Sequence, residues 1–453
     1  MRMSYALMAV LMLGIVIRLS AGWVRPLDLV QDSDGYLAHA EMLKDGEGFA
    51  GPSTHLPTAF RPPAYPIALA GLRWLGMSPQ ISVMLIHQLS SIAIILCVWR
   101  LCQQLELAGL ASLLATALTA FDPLLVRYSI LPMTEVPAAA MLIAAIVALK
   151  AAEQPHQTSA RAVISFRILA GVLFGFGSLV RPVLLVSCAL LVFWRLLLKW
   201  KSSSPVRHGV TVTILPMIAA VVAISPWMIR NAVQFGKIIP ATTHGGYTLA
   251  LGNNPEFYRD VIEGGTGFPW PGPQLDAWQR RMIAEAAIQG IPADSETAQD
   301  AWYYQQAFAA IKADPANFLS SCRLRLRRFC AITPGTDDGL PRFLKSSIAI
   351  WYGLIGIGIV AMIWNRAFGY LRRTSHNTVS GSLADIWLVI LSFMILHAVY
   401  WTDARMRAPV MPLVAIVSVV GWQSLFYAGF CRIAGRSYRG ANPESTGSSE
   451  LAP

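Results

Sequence analysis

The stretch YALMAVLMLGIVIRLSAGW, from Tyr5 to Trp23, carries a single charged residue, Arg18. An α-helix rises about 1.5 Å per residue, so a run of this length can cross the roughly 30 Å hydrocarbon core of a bilayer. The run is also longer than the apolar core of a cleavable signal peptide. We therefore expect an uncleaved first transmembrane helix.

Similar apolar runs recur along the rest of the chain. Of the 453 residues, 55% are hydrophobic and 13% are charged, whereas soluble domains carry about 25% charged residues. The runs are too long and too uniformly apolar for barrel strands, so in lipid they must form helices. The sequence predicts about ten spans, at 5–23, 81–101, 106–121, 133–149, 164–180, 183–198, 209–229, 346–364, 385–401 and 408–428.

The charges predict how these spans are oriented. With Arg2 in the cytoplasm and the spans alternating, cytoplasmic segments hold fifteen basic and five acidic residues, and outer segments hold twenty of each. Basic residues are enriched in cytoplasmic loops of membrane proteins. The net charge of +11 therefore needs no nucleic acid partner. We expect a multi-pass protein of the cytoplasmic (inner) membrane whose active site faces the periplasmic, extracytoplasmic side.

The spans divide the chain into four parts: an N-terminal transmembrane catalytic module at 1–229, an outer region at 230–345, C-terminal transmembrane helices at 346–430 and a disordered cytoplasmic tail at 431–453. The outer region alone has the composition of a soluble domain, and its glycines and prolines indicate ordered loops with short helices. The tail is polar and rich in Ser, Pro and Gly, as disordered segments are.

The first module includes a first outer loop at 24–80, in which two stretches are helix-like. Asp34 to Lys44 places apolar residues on one face, and a second stretch begins at Arg61-Pro62-Pro63, where proline suits an early helical position. We expect both to be juxtamembrane helices lying along the membrane surface.

Three acidic residues are candidates for catalysis. Asp32 and Asp34 follow the first span, and Glu135 begins an apolar run. A partly desolvated carboxylate can act as a general base, although capping of the next helix is the structural alternative for the two aspartates. A carboxylate at membrane depth is costly and commonly functional, and a helix N-terminus lowers that cost for Glu135.

Four arginines in the predicted outer segments are candidates for binding a donor phosphate. They are Arg61, Arg181, and the pair Arg405 and Arg407. A guanidinium group forms bidentate, charge-assisted hydrogen bonds with phosphate. For Arg405 and Arg407 the alternative is anchoring at the membrane interface, which their outer position and the adjacent Asp403 disfavour. For Arg61 the alternative is that the surrounding prolines form only a stiff connector.

Further outer residues could contact a substrate. Turns rich in Gly and Asn, at 244–247 and 252–255, can cradle anions or sugars with backbone N–H groups, or can simply connect helices. The six cysteines show no metal-ligand spacing, and no metal site is predicted. The candidates for substrate contact are Tyr36, Tyr65, Arg230, Tyr247, Asn253 and Asn254.

The order of these motifs resembles the GT-C superfamily of membrane glycosyltransferases. The chain is most similar to the family 39 group, with protein O-mannosyltransferases and bacterial aminoarabinose transferases. Asp32-Ser33 with Tyr36 resembles the acidic motif after the first helix, and Thr134-Glu135 resembles the second acidic site. Other matching stretches are Arg61-Pro62-Pro63 with Tyr65-Pro66, Pro226-Trp227 with Arg230-Asn231, Phe235-Gly236, Gly245-Gly246, Gly252-Asn253-Asn254-Pro255 and Arg405 to Pro409.

The resemblance implies an all-α, GT-C-like bundle of about ten or more transmembrane helices. It implies inverting transfer of a sugar from a polyprenyl-phosphate donor to a protein, lipid or glycan acceptor. Asp32 would be the general base, and Arg405 or Arg407, with Arg61 or Arg181, would stabilise the leaving phosphate. No cofactor is required, although Mg²⁺ or Mn²⁺ could bridge Asp32 and Glu135.

Departures from the family pattern keep alternatives open. Many members have Asp-Glu where this chain has Asp32-Ser33, so Asp34 could share or take the role of base. The alternatives are a polymerase or ligase that uses lipid-pyrophosphate donors, a lipid-linked sugar transporter or flippase, and a non-catalytic membrane subunit. A transporter should carry ionisable residues near the middle of its spans, where this chain has few.

Overall fold

The structure, a computed structural model, describes residues 2–154, 159–200, 206–265, 270, 272–333, 340–367 and 377–433. Apart from one isolated β-bridge between Ala50 and Pro57, the regular structure of these residues is helical. The α-helices are α1 (Arg2–Val24), α2 (Tyr36–Lys44), α3 (Ala64–Trp74), α4 (Pro79–Gln104), α5 (Gly109–Ala120), α6 (Pro123–Tyr128), α7 (Glu135–Ala151), α8 (Ala160–Ser178), α9 (Val183–Trp200), α10 (Val206–Phe235), α11 (Gly245–Gly252), α12 (Pro255–Phe257), α13 (Gly272–Ile288), α14 (Glu296–Ala313), α15 (Pro315–Phe329), α16 (Arg342–Ala367), α17 (Asn377–Val399) and α18 (Met411–Ile433).

All ten predicted spans coincide with helices, namely α1, α4, α5, α7 to α10 and α16 to α18. Within the described ranges, seven helices are long and apolar enough to cross a membrane, and α5 and the later part of α17 are shorter apolar helices. The chain is therefore an all-α, multi-pass membrane protein, as its composition predicted.

Small residues allow the helices to approach closely. A Cβ atom at Gly175 of α8 would lie 2.7 Å from the Ala220 carbonyl oxygen of α10, and a Cβ at Gly421 of α18 would collide with the backbone of Gly358 in α16. In lipid, helices associate through such close packing because burial of apolar surface gives no advantage. These contacts hold α8 against α10 and α16 against α18.

Buried ion pairs join three helices at one end of the bundle. Lys150 of α7 lies 2.5 Å from Asp385 of α17 and 2.9 Å from Glu153, while Arg195 of α9 lies 2.8 Å from Asp385 and also pairs with Glu153. At the other end of the bundle, the N-terminus of α7 and Arg181, just before α9, meet the segment that precedes α18. We call that second end of the bundle the site end.

The two helices predicted in the first outer loop are present as α2 and α3, which pack on each other at the site end. Of the helices at 230–345, which were predicted to be short, α11 and α12 have 8 and 3 residues, but the others are longer. Helix α10 continues to Phe235, and α13, α14 and α15 contain 17, 18 and 15 residues. Helices α13 and α14 lack a strong apolar period, so the glycines and prolines around them dominated the sequence pattern.

The remaining prediction concerned the C-terminal tail at 431–453. Helix α18 continues to Ile433, and the rest of the tail lies outside the described residues.

Candidate active site

Two arginines from distant segments meet one aspartate at the site end. Arg61 Nη2 donates to Asp34 Oδ1 at 3.5 Å, and Arg405 Nη1 donates to Asp34 Oδ2 at 3.3 Å. The three side chains are about one-fifth exposed. They come from the loop after α1, the loop before α3 and the 3₁₀ helix Ala404–Val410 before α18.

A second carboxylate extends this cluster. Arg181 Nη1 donates to Glu135 Oε1 at 2.7 Å, and Arg405 Nε lies 3.9 Å from the same oxygen. Glu135 is only 2% exposed, and its Oε2 atom has no hydrogen-bond partner. The cluster formed by Asp34, Arg61, Glu135, Arg181 and Arg405 is hereafter the carboxylate–arginine cluster.

Local sequence explains how these side chains are presented. Gly35 has φ 76°, a conformation that favours glycine, and it turns the chain into α2 directly after Asp34. Asp403 Oδ1 accepts from the Arg405 N–H at 2.8 Å and so caps the 3₁₀ helix. Glu135 is the first residue of α7, where a helix N-terminus stabilises a carboxylate.

Asp32 differs from Asp34 in its partners. Its Oδ2 accepts from the Ala38 N–H of α2 at 2.9 Å, and its Oδ1 is buried without a hydrogen-bond partner. Asp34 accepts from two guanidinium groups instead. Both oxygens of Asp34 are therefore occupied by protein groups, whereas Asp32 keeps one oxygen without a protein partner, and Asp32 is the better placed of the two to meet a ligand.

The cluster is also contacted by residues that were not among the predicted site residues. Asp403 Oδ2 lies 3.1 Å from Arg405 Nε, and burial raises the pKa of Asp403 while Arg405 opposes that rise. Arg181 Nη2 contacts the Met406 sulfur at 2.8 Å, and Arg405 Nη1 contacts the Met133 sulfur at 3.6 Å. The position of Asp403 beside Arg405 in the sequence could have identified it as a site residue. Met133 and Met406 are apolar, and their residue type gives no such indication.

An aromatic wall, formed by Phe60, His244 and Tyr247, continues from the cluster. The Arg61 guanidinium lies 5.4 Å from the centre of the Phe60 ring. The rings of Phe60 and His244 are 4.2 Å apart, and those of His244 and Tyr247 are 5.3 Å apart. Burial, with Arg61 nearby, lowers the pKa of His244 to about 3, so this imidazole is neutral at physiological pH.

Tyr36 also borders the cluster, because the Arg61 guanidinium lies 5.8 Å from its ring centre. Tyr65 is 1% exposed and sits deeper, where its hydroxyl hydrogen-bonds with His87 Nε2 at 2.9 Å. Its ring packs edge-on against Tyr36 at 5.5 Å.

Arg407, a candidate for phosphate binding, makes its contacts elsewhere. It donates to the carbonyl oxygens of Phe329 at 2.9 Å and of Ala331, and its guanidinium lies 4.3 Å from the Tyr352 ring centre. These contacts link α15 and α16 to the loop before α18. In the 3₁₀ helix, residues two apart point in different directions, which separates Arg407 from Arg405.

Three further substrate candidates bind backbone groups of the protein. Arg230 donates to the carbonyls of Thr58 and Phe49, each at 2.8 Å. Asn253, which is fully buried, donates to the Leu249 and Val399 carbonyls, and Asn254 caps α12. Of the two predicted turns, 244–247 leads into helix α11, whose Gly246 N–H donates to Asp300 Oδ1 at 2.6 Å, and 252–255 connects α11 to α12.

Within the described ranges, no group of three or more His, Cys, Asp or Glu side chains is arranged to hold a metal ion. Two of the buried carboxylate oxygens without partners, Asp32 Oδ1 and Glu135 Oε2, are of the type that Mg²⁺ and Mn²⁺ bind.

No protein-family model matches the chain, and no curated protein matches it in sequence. Its fold does match solved structures. The oligosaccharyltransferase AglB from Archaeoglobus fulgidus, in complex with an inhibitory peptide and a dolichol-phosphate, superposes with a TM-score of 0.55 at 15% identity, over 98% of this chain and 53% of that chain. An Archaeoglobus fulgidus oligosaccharyltransferase in complex with Zn and sulfate gives 0.53 at 14% identity, over 94% and 50%.

ArnT from Cupriavidus metallidurans bound to undecaprenyl phosphate aligns over 96% of this chain and 81% of that chain, at 14% identity. Its TM-score of 0.40 is too low to establish a shared fold. The chain spans about half of the length of the oligosaccharyltransferases it matches, and identities this low establish the fold alone. The chain therefore shares the fold of these oligosaccharyltransferases over about half of their length, in agreement with the GT-C-like helical bundle that its motifs predicted.

Proposed function

We propose that the chain is an inverting glycosyltransferase. It takes a sugar from a polyprenyl-phosphate donor and passes it to an acceptor at the extracytoplasmic face of the cytoplasmic membrane. The observation that carries the proposal is the convergence of Arg61, Arg181 and Arg405 on two carboxylates beside Asp32, at one end of a GT-C fold. Three guanidinium groups in one place suit a phosphate.

In this reaction Asp32 Oδ1 accepts the proton of the acceptor hydroxyl. The acceptor oxygen bonds to the anomeric carbon while the bond from that carbon to the phosphate oxygen breaks, and the electron pair leaves with the phosphate. A single displacement inverts the configuration of the sugar. Asp32 suits the role because its Oδ1 atom makes no hydrogen bond within the protein and can accept one from a hydroxyl group.

Arg405, Arg181 and Arg61 stabilise the charge that develops on the leaving phosphate. Such a fixed donor contributes about 3–4 kcal/mol to lowering the barrier. Asp34 and Glu135 hold the guanidinium groups in place through the ion pairs at 3.3 Å and 2.7 Å. The dolichol-phosphate bound by AglB is consistent with a lipid phosphate at a site of this fold.

The contacts of Arg230, Asn253, Asn254, Tyr65 and Arg407 with protein groups support a structural role for these residues. Tyr36 and Tyr247 border the cluster or its aromatic wall, which supports substrate contact. A divalent cation between Asp32 and Glu135 is compatible with their free oxygens, and chelation of a working assay tests whether transfer needs one.

The proposal is tested with purified protein in lipid vesicles. Radiolabelled sugars are supplied on polyprenyl monophosphate and, separately, on polyprenyl pyrophosphate. We expect transfer from the monophosphate donor, with free polyprenyl phosphate as the lipid product. The Arg405→Ala variant should be about 10²–10³-fold slower, while Arg280→Ala, at an exposed position of α13, is the matched control.

Other outcomes identify the alternatives. Transfer of whole glycans from the pyrophosphate donor alone would favour a polymerase or ligase. Movement of intact donor across the bilayer without transfer would favour a flippase.

A further inference from the structure

The segment Thr58–Ala59, two residues before Arg61, is held by distant parts of the chain. Thr58 is 2% exposed and Ala59 is fully buried. The Thr58 carbonyl accepts from Arg230 at 2.8 Å, and the Ala59 carbonyl accepts from the Thr243 N–H at 2.9 Å. The backbone leading into the carboxylate–arginine cluster is therefore fixed from outside the first loop.

A single carboxylate makes most of the remaining contacts. This carboxylate belongs to Glu296, the first residue of α14. Its Oε1 accepts a hydrogen bond from the Thr58 hydroxyl. Its Oε2 accepts hydrogen bonds from the Ala59 N–H and the Thr243 hydroxyl, each at 2.9 Å. Thr58 Oγ1 in turn accepts from the Phe60 N–H at 3.0 Å. Glu296 thus joins the outer helices to the stretch that carries Phe60 and Arg61, and to Thr243 beside His244.

We propose that Glu296 is a positioning residue that fixes Arg61 for the donor phosphate, an inference that rests on the proposed function. Hydrogen bonds to an ionised carboxylate are strong and directional. The Arg61 guanidinium is only 3.5 Å from Asp34, so a backbone shift of about 1 Å would separate the pair and misplace the phosphate donors. Glu296 itself touches neither Asp34 nor a reacting atom in this scheme.

The test is a double-mutant cycle on the full chain in detergent, with undecaprenyl phosphate as the probe of binding. The variants are Glu296→Ala, Arg61→Ala and the double variant. If Glu296 acts through Arg61, each single variant weakens binding about tenfold. The double variant should then bind no more weakly than Arg61→Ala. Multiplied losses in the double variant would overturn the inference.

Two more variants separate positioning from general destabilisation. Glu296→Gln keeps an acceptor oxygen for the Ala59 N–H and should restore most of the binding. Glu285→Ala removes a carboxylate that pairs with Arg281 on the surface of α13 and is the matched control. A Glu296→Gln variant as weak as Glu296→Ala would contradict the hydrogen-bonding role.

Hydrogen exchange supplies a readout that needs no lipid. The amides of Ala59 and Phe60 should exchange faster in Glu296→Ala than in the unaltered chain, and should be unchanged in Glu285→Ala. Unchanged exchange in Glu296→Ala would overturn the inference whatever the lipid result. Failure of the unaltered chain to bind undecaprenyl phosphate would instead contradict the proposed function. The hydrogen-exchange result alone would then show whether Glu296 fixes the backbone at Ala59 and Phe60.

Discussion

Arg405 Nη1 lies 3.3 Å from Asp34 Oδ2, although 371 positions separate the two residues in the chain. The contact joins the loop after α1 to the loop before α18, and the N-terminus of α7 lies beside it through the 3.9 Å approach of Arg405 to Glu135. The site is therefore built by the tertiary fold rather than by a local motif, and its parts should respond to substitution together.

The ion pair between Arg181 and Glu135 should be needed for stability. Glu135 is 2% exposed. In Arg181→Ala, the cation of the described residues that remains near the buried Glu135 carboxylate is the more distant Arg405. We expect the free energy of unfolding to fall by about 3 kcal/mol. The double variant Arg181→Ala/Glu135→Gln should recover part of the loss, because it removes the unpaired charge. Unfolding in detergent measures both, and equal stability of Arg181→Ala and the unaltered chain would contradict the pairing.

Arg407 should act on stability and not on phosphate binding. Its guanidinium is occupied by the Phe329 and Ala331 carbonyls and the Tyr352 ring. Arg407→Ala should therefore lower the unfolding temperature, while transfer per folded molecule stays within about twofold of the unaltered rate. The comparison with Arg405→Ala separates the two arginines. A loss of about 10²-fold in the transfer rate per folded molecule of Arg407→Ala would show that Arg407 acts in the site.

Asp122 should make stability depend on pH in an unusual direction. Burial raises the pKa of Asp122 from 3.8 to about 6. As pH rises from about 4 to 6, the unfolded chain releases this proton while the folded chain retains it, so the contribution to stability falls, by at most about 3 kcal/mol. Asp122→Asn keeps the capping role at α6 and removes the titration.

The variant should therefore be more stable than the unaltered chain at pH 7.5 and about equal to it at pH 4. Urea unfolding in detergent at the two pH values measures the difference. A stability difference between the two chains that does not change with pH would show that Asp122 titrates normally.

The site end should face away from the cytosol. In a chain without its native cysteines, Ser33→Cys and Ala404→Cys place a thiol beside Asp32 and Arg405. We expect both thiols to react with an impermeant maleimide added from outside. The segments at the opposite ends of the spans carry the excess of basic residues, which predicts that those segments lie in the cytoplasm. Gln103→Cys, at the opposite end of α4, should react only after permeabilisation. Labelling of the first two thiols from opposite sides would rule out a common pocket.

The fold was predictable because lipid restricts the choice. Apolar runs of spanning length must form helices, and all ten predicted runs do. The polar outer helices were less predictable, since α13 and α14 are not constrained by lipid and carry little apolar period. The start of helix α11 was predicted as a Gly-rich turn. Its Gly246 allows close approach to Asp300, and such packing cannot be seen in a local sequence pattern.

The carboxylate–arginine cluster was partly predictable for a different reason. Ionisable residues beside apolar runs are costly, which singled out Glu135, Arg181 and Arg405. The same rule also selected Arg407 and Arg230, which bind backbone carbonyls. Residue type and depth alone cannot distinguish an arginine that binds protein groups from one that is available to a ligand.

The most direct measurement is the rate of sugar transfer from polyprenyl phosphate, per folded molecule, by Asp32→Asn and Asp34→Asn. With Asp32 as the base, its variant should lose about 10²–10⁴-fold in rate while binding undecaprenyl phosphate as tightly as the unaltered chain. Asp34→Asn, which loosens Arg61 and Arg405, should chiefly weaken binding. A full rate in Asp32→Asn would contradict the assignment of the base and the mechanism that depends on it.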